Sequence, residues 1–97
     1  MGHLSDQHLT EELKKGDRQA FRSLIEQYKH MVYTLALRIV KNEEDAEEIS
    51  QDVFLKVYQS AGTFKGDAKL YTWLYRISIN TCLDWMKSRN RRRDDSL

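Results

Sequence analysis

Apolar residues recur along the chain at steps of three and four, the spacing that places side chains on one face of an α-helix. The longest such run covers about six turns and contains Phe21, Leu24, Ile25, Tyr28, Met31, Val32, Leu35 and Ile39. A shorter run follows, made of Ala46, Ile49, Val53 and Val57. No segment alternates apolar and polar residues as a β-strand does. The pattern therefore predicts an all-α protein with no sheet.

Capping residues divide this pattern into separate helices. Gly16 ends a first short helix that begins near Leu9, and Asp17 can cap the second helix, which runs to about residue 41. Asn42 can cap a third helix, which ends at Gly62. We therefore predict three helices before residue 62.

A fourth helix is expected from near Leu70 into the arginines, after a loop over residues 62–69. Together, these four helices predict a compact bundle that forms one domain over residues 9–90. Residues 1–8 are interpreted as an N-terminal extension, partly from cloning, and residues 91–97 as a basic tail.

Composition narrows the class of protein. The 97 residues include no proline and four glycines, with 32% charged and 40% hydrophobic residues, which is typical of a folded helical domain. No apolar run approaches the roughly 18 residues of a membrane span, and no signal peptide is visible, so we predict a cytoplasmic protein. The single cysteine, Cys82, excludes an internal disulfide and is predicted to be a packing thiol.

Motifs of catalysis are absent from the sequence. It contains no glycine-rich phosphate loop, no nucleophile elbow and no histidine–cysteine cluster with metal-ligand spacing. We therefore predict that the protein is not an enzyme and uses no metal or cofactor.

Charge is distributed unevenly although the net charge is only +1. Residues 42–63 contain six acidic residues and one lysine, a net charge of −5, whereas residues 64–93 contain eight basic and two acidic residues, a net charge of +6. This asymmetry favours two different partners, one of them an anion such as nucleic acid. Two merely solvated helix faces would give the same pattern.

The third helix has a polar side opposite its apolar stripe, and a leucine lies within it. The residues of this side that we predict to bind a protein are Asp45, Glu48, Gln51, Asp52 and Leu55. An apolar anchor inside an acidic rim is typical of a docking surface for a basic partner. Single exposed leucines are also common, so a solvated face remains the alternative.

The fourth helix and the loop before it concentrate cations and amides. Lys69, Thr72, Arg76, Asn80 and Lys87 fall in one row at helical spacing. Beyond the row lie further basic residues, namely Arg89, Arg91, Arg92 and Arg93. Such side chains contact phosphates and base edges. In the loop, Phe64 beside Lys65 suits stacking on single-stranded bases, although the ring could equally fold into the core.

Four stretches together resemble the second conserved region of bacterial sigma factors of the extracytoplasmic-function (ECF) group. They are KKGDRQAFRSLIEQY at 14–28, DAEEISQDVFLKVY at 45–58, TFKGDAK at 63–69 and YTWLYRISINTCLDW at 71–85. The resemblance covers nearly the whole chain from Leu9.

The resemblance implies two binding functions. The helix at 45–58 would dock on the clamp helices of the RNA polymerase β′ subunit. The loop at 63–69 and the next helix would recognise the promoter −10 element on the non-template strand and hold it melted. A flipped base would enter a pocket formed by Phe64, Lys65, Gly66, Asp67, Ala68 and Lys69, with Asn80 beneath.

Further roles follow from the same resemblance. Tyr75, Arg76 and the basic tail would hold the DNA backbone or the upstream edge of the duplex. Ala68 and Leu70 are positions where the preferred −10 sequence is expected to differ between family members. An anti-sigma factor is an expected partner. Full-length members of the family carry a second helical domain that reads the −35 element, and residues 91–97 are interpreted as the start of the linker to it. Two alternatives stay open: a protein-interaction module without a DNA role, and a duplex-binding helix-turn-helix protein, which the long loop disfavours.

Overall fold

The computed structural model describes residues 6–63 and 69–95, with side chains at 8–62 and 69–89. The helices are α1 (Asp6–Lys14), α2 (Arg18–Val40), α3 (Glu43–Ser60) and α4 (Leu70–Asp95). One 3₁₀ turn, Ala61–Thr63, follows α3. These segments contain no strand, which confirms the prediction of an all-α bundle of about four helices. The first helix begins three residues earlier than predicted.

Local capping explains where α2 and α3 begin and where α2 ends. Asp17 Oδ1 accepts a hydrogen bond of 2.9 Å from the N–H two residues later, and Asn42 Oδ1 accepts one of 3.0 Å from Asp45 N–H. Both caps agree with the prediction. Lys41 adopts a left-handed conformation with φ 58°, and its N–H donates to the Leu37 carbonyl at 2.7 Å. This turn ends α2 at residue 40.

All four helices contribute to one core. Leu9, Leu24, Ile49 and Leu74 are completely buried, and each such side chain stabilises the fold by about 1.5–3 kcal/mol relative to exposure. The predicted apolar stripe of α3 is buried along its whole length. Cys82 is also buried, as expected for a packing thiol, and burial raises the pKa of its thiol.

Polar contacts fix α3 against α4. Lys56 Nζ lies 3.2 Å from Thr81 Oγ1 and 3.8 Å from Asp84 Oδ2. Further along α4, Arg89 Nη1 donates to Asp45 Oδ2, in the first turn of α3, at 2.8 Å. Later residues of α4 therefore meet earlier residues of α3, so the two helices run antiparallel.

In the part of the chain that the structure describes, no helix combines the length and hydropathy needed to cross a bilayer.

Candidate protein-binding and nucleic-acid-binding faces

Four of the five residues predicted to bind a protein share an exposed side of α3. Glu48, Gln51 and Asp52 are exposed, and Leu55 exposes 55% of its surface. Steps of three and four residues along a helix place them within one third of its circumference. We call these four residues the acidic face.

An apolar groove adjoins the acidic face. It lies between α2 and α3, has a volume of about 760 Å³, and shares Gln51 and Leu55 with the face. Its other apolar walls include Phe21, Ile25 and Tyr58. The rings of Phe21 and Tyr58 meet edge to face, with centroids 5.2 Å apart. Leu55 and Tyr58 therefore form part of one apolar surface.

Sequence reasoning missed this α2–α3 groove because half of it comes from another helix. Phe21 and Ile25 are assigned by periodicity to the core stripe of α2, and they are only partly buried. One local signal existed: Tyr58 follows Leu55 by three residues, so both project from the same side of α3. Tyr58 is 56% exposed.

The predicted row on α4 forms a second exposed face. Lys69, Arg76, Asn80 and Lys87 are all exposed, and Thr72 of the same row is half-buried. At about 100° per residue, Arg76, Asn80 and Lys87 lie within about 40° of one another around the helix, and Lys69 directly precedes its first turn. We call these four residues the cationic row. It presents three positive charges and one amide to the same side.

Tyr75 lies at the edge of this face. About 100° of helical rotation separates it from Arg76, and its ring stacks on that of Tyr71, with centroids 6.2 Å apart. Tyr75 exposes 41% of its surface. Leu70, which the resemblance marks as a position that varies with the preferred −10 sequence, is only 2% exposed. Its side chain belongs to the core and not to the surface of α4.

Asp45 and Arg89 are bound to each other, although the sequence analysis places them in different sites. Their 2.8 Å ion pair leaves the Asp45 side chain 21% exposed and the Arg89 side chain 48% exposed. The guanidinium of Arg89 also lies 5.3 Å from the centre of the Trp85 ring, a cation–π contact. The ion pair leaves Asp45 half-buried, unlike the four exposed residues of the acidic face, and it holds Arg89 on the side of α4 that faces α3.

Part of the predicted DNA site lies outside the described residues, namely Phe64, Lys65, Gly66, Asp67 and Ala68. The backbone of residues 91–93 belongs to α4, but the side chains of Arg91, Arg92 and Arg93 are likewise outside the description.

Charged side chains between α3 and α4 form ion pairs, whereas those on the two exposed faces do not pair with any described side chain. Lys56 pairs with Asp84, and Arg89 pairs with Asp45, across the α3–α4 contact. Among the described side chains, no ion pair involves a charged member of the acidic face or of the cationic row. Uncompensated charges of opposite sign on adjacent helices can attract two partners of opposite charge.

Comparison with known proteins identifies the family. The family model described as Sigma-70 region 2 matches residues 24–92, more than half of the chain. The chain belongs to the sigma-70 region 2 family. Sigma factors are transcription initiation factors and not enzymes, which confirms the prediction that this region 2 domain is non-enzymatic.

The curated relatives are ECF-type sigma factors. The chain is 42% identical over 91 residues to the RNA polymerase sigma-H factor of Pseudomonas aeruginosa, covering 94% of this chain and 47% of that protein. It is 40% identical over 89 residues to the ECF RNA polymerase sigma-E factor of Escherichia coli K12, covering 92% and 46%. The chain therefore spans about half the length of these relatives. The resemblance to the ECF group is confirmed.

A solved structure shares the fold. It is the NMR structure of an engineered region 2 of sigmaE in complex with GTAAAA, a −10 element fragment. The TM-score is 0.86 at 38% sequence identity, and the match covers 95% of this chain and 97% of the other.

Proposed function

We propose that this region 2 domain docks on the clamp helices of the RNA polymerase β′ subunit and binds the non-template strand of the promoter −10 element. The acidic face of α3 is the docking surface, and the cationic row of α4 with the preceding loop is the DNA surface. Such a role would place the domain in the bacterial cytoplasm. The observation that carries the proposal is the pair of oppositely charged faces on adjacent helices, whose charges form no ion pair with any described side chain.

The docking role is supported by the chemistry around Leu55. Its exposed side chain supplies an apolar anchor, and Glu48 and Asp52 supply charges that select a basic partner. The α2–α3 groove extends the apolar surface beyond the face predicted from sequence. A basic helix that carries an apolar side chain fits both features.

Charge reversal tests the docking surface. Glu48→Lys together with Asp52→Lys should abolish binding of the fluorescently labelled domain to core RNA polymerase, measured by anisotropy, because both charges then repel a basic partner. Circular dichroism should show an unchanged fold, since both residues are exposed.

The matched control is Glu11→Lys with Glu43→Lys, which changes the net charge equally at exposed sites outside the acidic face. This control should bind polymerase as the wild type does. Wild-type affinity in the Glu48/Asp52 variant would contradict the docking assignment.

The DNA role is supported by the match with the sigmaE–GTAAAA complex, which covers α4. Single-strand binding requires groups that bind exposed bases better than paired ones, because a paired base cannot enter a pocket. The Asn80 amide, exposed between Arg76 and Lys87 along the row, is suited to a base edge, and the flanking cations are suited to phosphates.

Two substitutions separate base contacts from phosphate contacts. Asn80→Ala should lower affinity for a single-stranded oligonucleotide containing GTAAAA more than affinity for a scrambled one, by the roughly 1–3 kcal/mol of a base contact. Lys87→Ala should weaken both about equally and flatten the salt dependence.

Anisotropy titrations of both oligonucleotides at several salt concentrations measure these effects. Equal weakening of both oligonucleotides by Asn80→Ala would remove its base-reading role. Wild-type binding that is stronger to duplex than to single strand would instead favour the helix-turn-helix alternative. Absence of any DNA binding, with polymerase binding intact, would favour the interaction module.

An anti-sigma factor is a further proposed partner. A protein that covers Leu55 and Tyr58 would bury the exposed apolar surface and exclude polymerase from the acidic face. Such a partner should displace the labelled domain from core polymerase, and simultaneous binding of both would contradict this proposal.

A further inference from the structure

We propose that Asp45 and Arg89 are positioning residues that hold the C-terminal turns of α4 in register with the cationic row. This inference rests on the proposed contact between that end of α4 and DNA phosphates. It assigns the two residues one shared role, in place of separate contacts with polymerase and DNA.

Among its described side chains, the end of α4 has little apolar contact with the core beyond Trp85. The helix extends to Asp95, but among its side chains described up to residue 89 the last buried one is Cys82. Trp85 is half-buried, and the described side chains from residue 86 to residue 89 are exposed. Helix ends without tertiary contacts fray, because helix stability in proteins comes mostly from packing. Another contact must therefore hold these turns.

Arg89 supplies that contact through two different interactions. Its Nη1 donates to Asp45 Oδ2 at 2.8 Å, and its guanidinium carbon lies 5.3 Å from the centre of the Trp85 ring. The carboxylate is itself well placed, because the Asp45 N–H is capped by Asn42 Oδ1 at 3.0 Å. The pair thus ties the exposed end of α4 to the fixed first turn of α3.

Helical geometry places Arg89 away from the DNA surface. Nine residues at about 100° each put it about 180° around α4 from Asn80, on the side that faces α3. Position 91 lies eleven residues after Asn80 and so returns to within about 20° of it. A continuous helix through residue 89 is what keeps position 91 in line with the cationic row. Arg89 therefore affects DNA binding by holding the later turns of α4 in place, and not by contacting DNA itself.

Removal of Asp45 distinguishes positioning from simple electrostatics. Loss of a negative charge near a DNA surface should raise DNA affinity, because it removes repulsion of the phosphates. If Asp45 instead positions the end of α4, its removal should lower DNA affinity. Because a partly exposed ion pair contributes at most about 1 kcal/mol, the expected loss for Asp45→Ala is up to about fivefold.

The test compares Asp45→Ala with Glu44→Ala, which removes the same charge from the same turn at an exposed site. Affinity for a single-stranded GTAAAA oligonucleotide should fall in Asp45→Ala and stay equal or rise in Glu44→Ala. Asp45→Glu should recover wild-type affinity. Arg89→Gln should lose as much as Asp45→Ala, and the double variant should lose no more than either single one.

Amide hydrogen exchange provides a readout that does not depend on DNA. Residues 90–93 should exchange faster in Asp45→Ala than in Glu44→Ala, while the core of α2 keeps its protection. Unchanged exchange at residues 90–93, or affinity in Asp45→Ala that matches or exceeds that of Glu44→Ala, would overturn the positioning role.

Failure of the proposed DNA function gives a different result. Neutralising Arg91, Arg92 and Arg93 in the otherwise wild-type domain would then leave oligonucleotide affinity unchanged. That outcome would overturn the phosphate role of this end of α4, and with it the inference. A normal loss in that triple variant, with unchanged exchange in Asp45→Ala, would overturn the positioning role alone.

Discussion

At the scale of single residues, the side-chain caps of α2 and α3 were predictable from the sequence, whereas the left-handed conformation of Lys41 was not. Asp17 and Asn42 could be assigned because a side-chain cap depends only on the next two or three residues. The predicted end of α2, at about residue 41, is correct to within one residue, but the left-handed conformation there belongs to a lysine and not to a glycine, with φ 58°. Residues with a Cβ atom pay about 1–2 kcal/mol for that conformation.

Lys41→Gly should therefore stabilise the domain by up to about 1 kcal/mol, because glycine adopts a positive φ without a Cβ clash. The gain is limited by the greater flexibility of glycine in the unfolded chain. Urea denaturation followed by circular dichroism measures the change.

Arg22→Gly is the matched control, since it removes one positive charge from an exposed position inside α2. This change should destabilise by about 0.5–1 kcal/mol. If Lys41→Gly destabilised the domain as Arg22→Gly does, the left-handed conformation of Lys41 would carry no strain.

At the scale of helices, α3 was more predictable than α4. The apolar stripe of α3 is confirmed as core, with Phe54 added to it. In α4, apolar residues surround more than half the helix, so periodicity could not separate the core side from the surface. Leu83 and Met86 are exposed. Buried Ser78, in contrast, donates its hydroxyl to the Leu74 carbonyl at 2.8 Å, which satisfies a polar group within the core.

Ser78 is small and only 1% exposed, so α4 packs closely against its neighbours at this point. Ser78→Leu should destabilise the bundle by about 1–3 kcal/mol, because a larger side chain overpacks the contact. Denaturant titration would detect the loss.

Ser88→Leu is the control on the same helix, at an exposed position, and should change stability by less than about 0.5 kcal/mol. If Ser78→Leu were as mild as Ser88→Leu, the α4 contact would be loosely packed.

At the scale of the whole molecule, the features that escaped prediction join distant parts of the chain. The α2–α3 groove combines Phe21 with Tyr58, and the Asp45–Arg89 pair joins residues 44 positions apart. Periodicity and capping report only neighbours along the chain, so neither feature has a local signature. The two oppositely charged segments were visible in the sequence, but only the structure shows which of the described charged side chains form ion pairs.

The central claim is that one small domain binds polymerase and promoter DNA through two separate faces. The most direct measurement follows the anisotropy of a labelled single-stranded GTAAAA oligonucleotide while the domain, and then core RNA polymerase, is added. Polymerase added to the oligonucleotide without the domain corrects for its own DNA binding. The account predicts two successive rises with the wild-type domain.

With Glu48→Lys and Asp52→Lys, the first rise should remain and the second should disappear. With Asn80→Ala and Lys87→Ala, the first rise should weaken while the domain still binds polymerase. Loss of the first rise in the folded Glu48/Asp52 variant would contradict two separate faces. So would loss of polymerase binding by the directly labelled Asn80/Lys87 variant, or a wild-type domain that releases the oligonucleotide when polymerase binds.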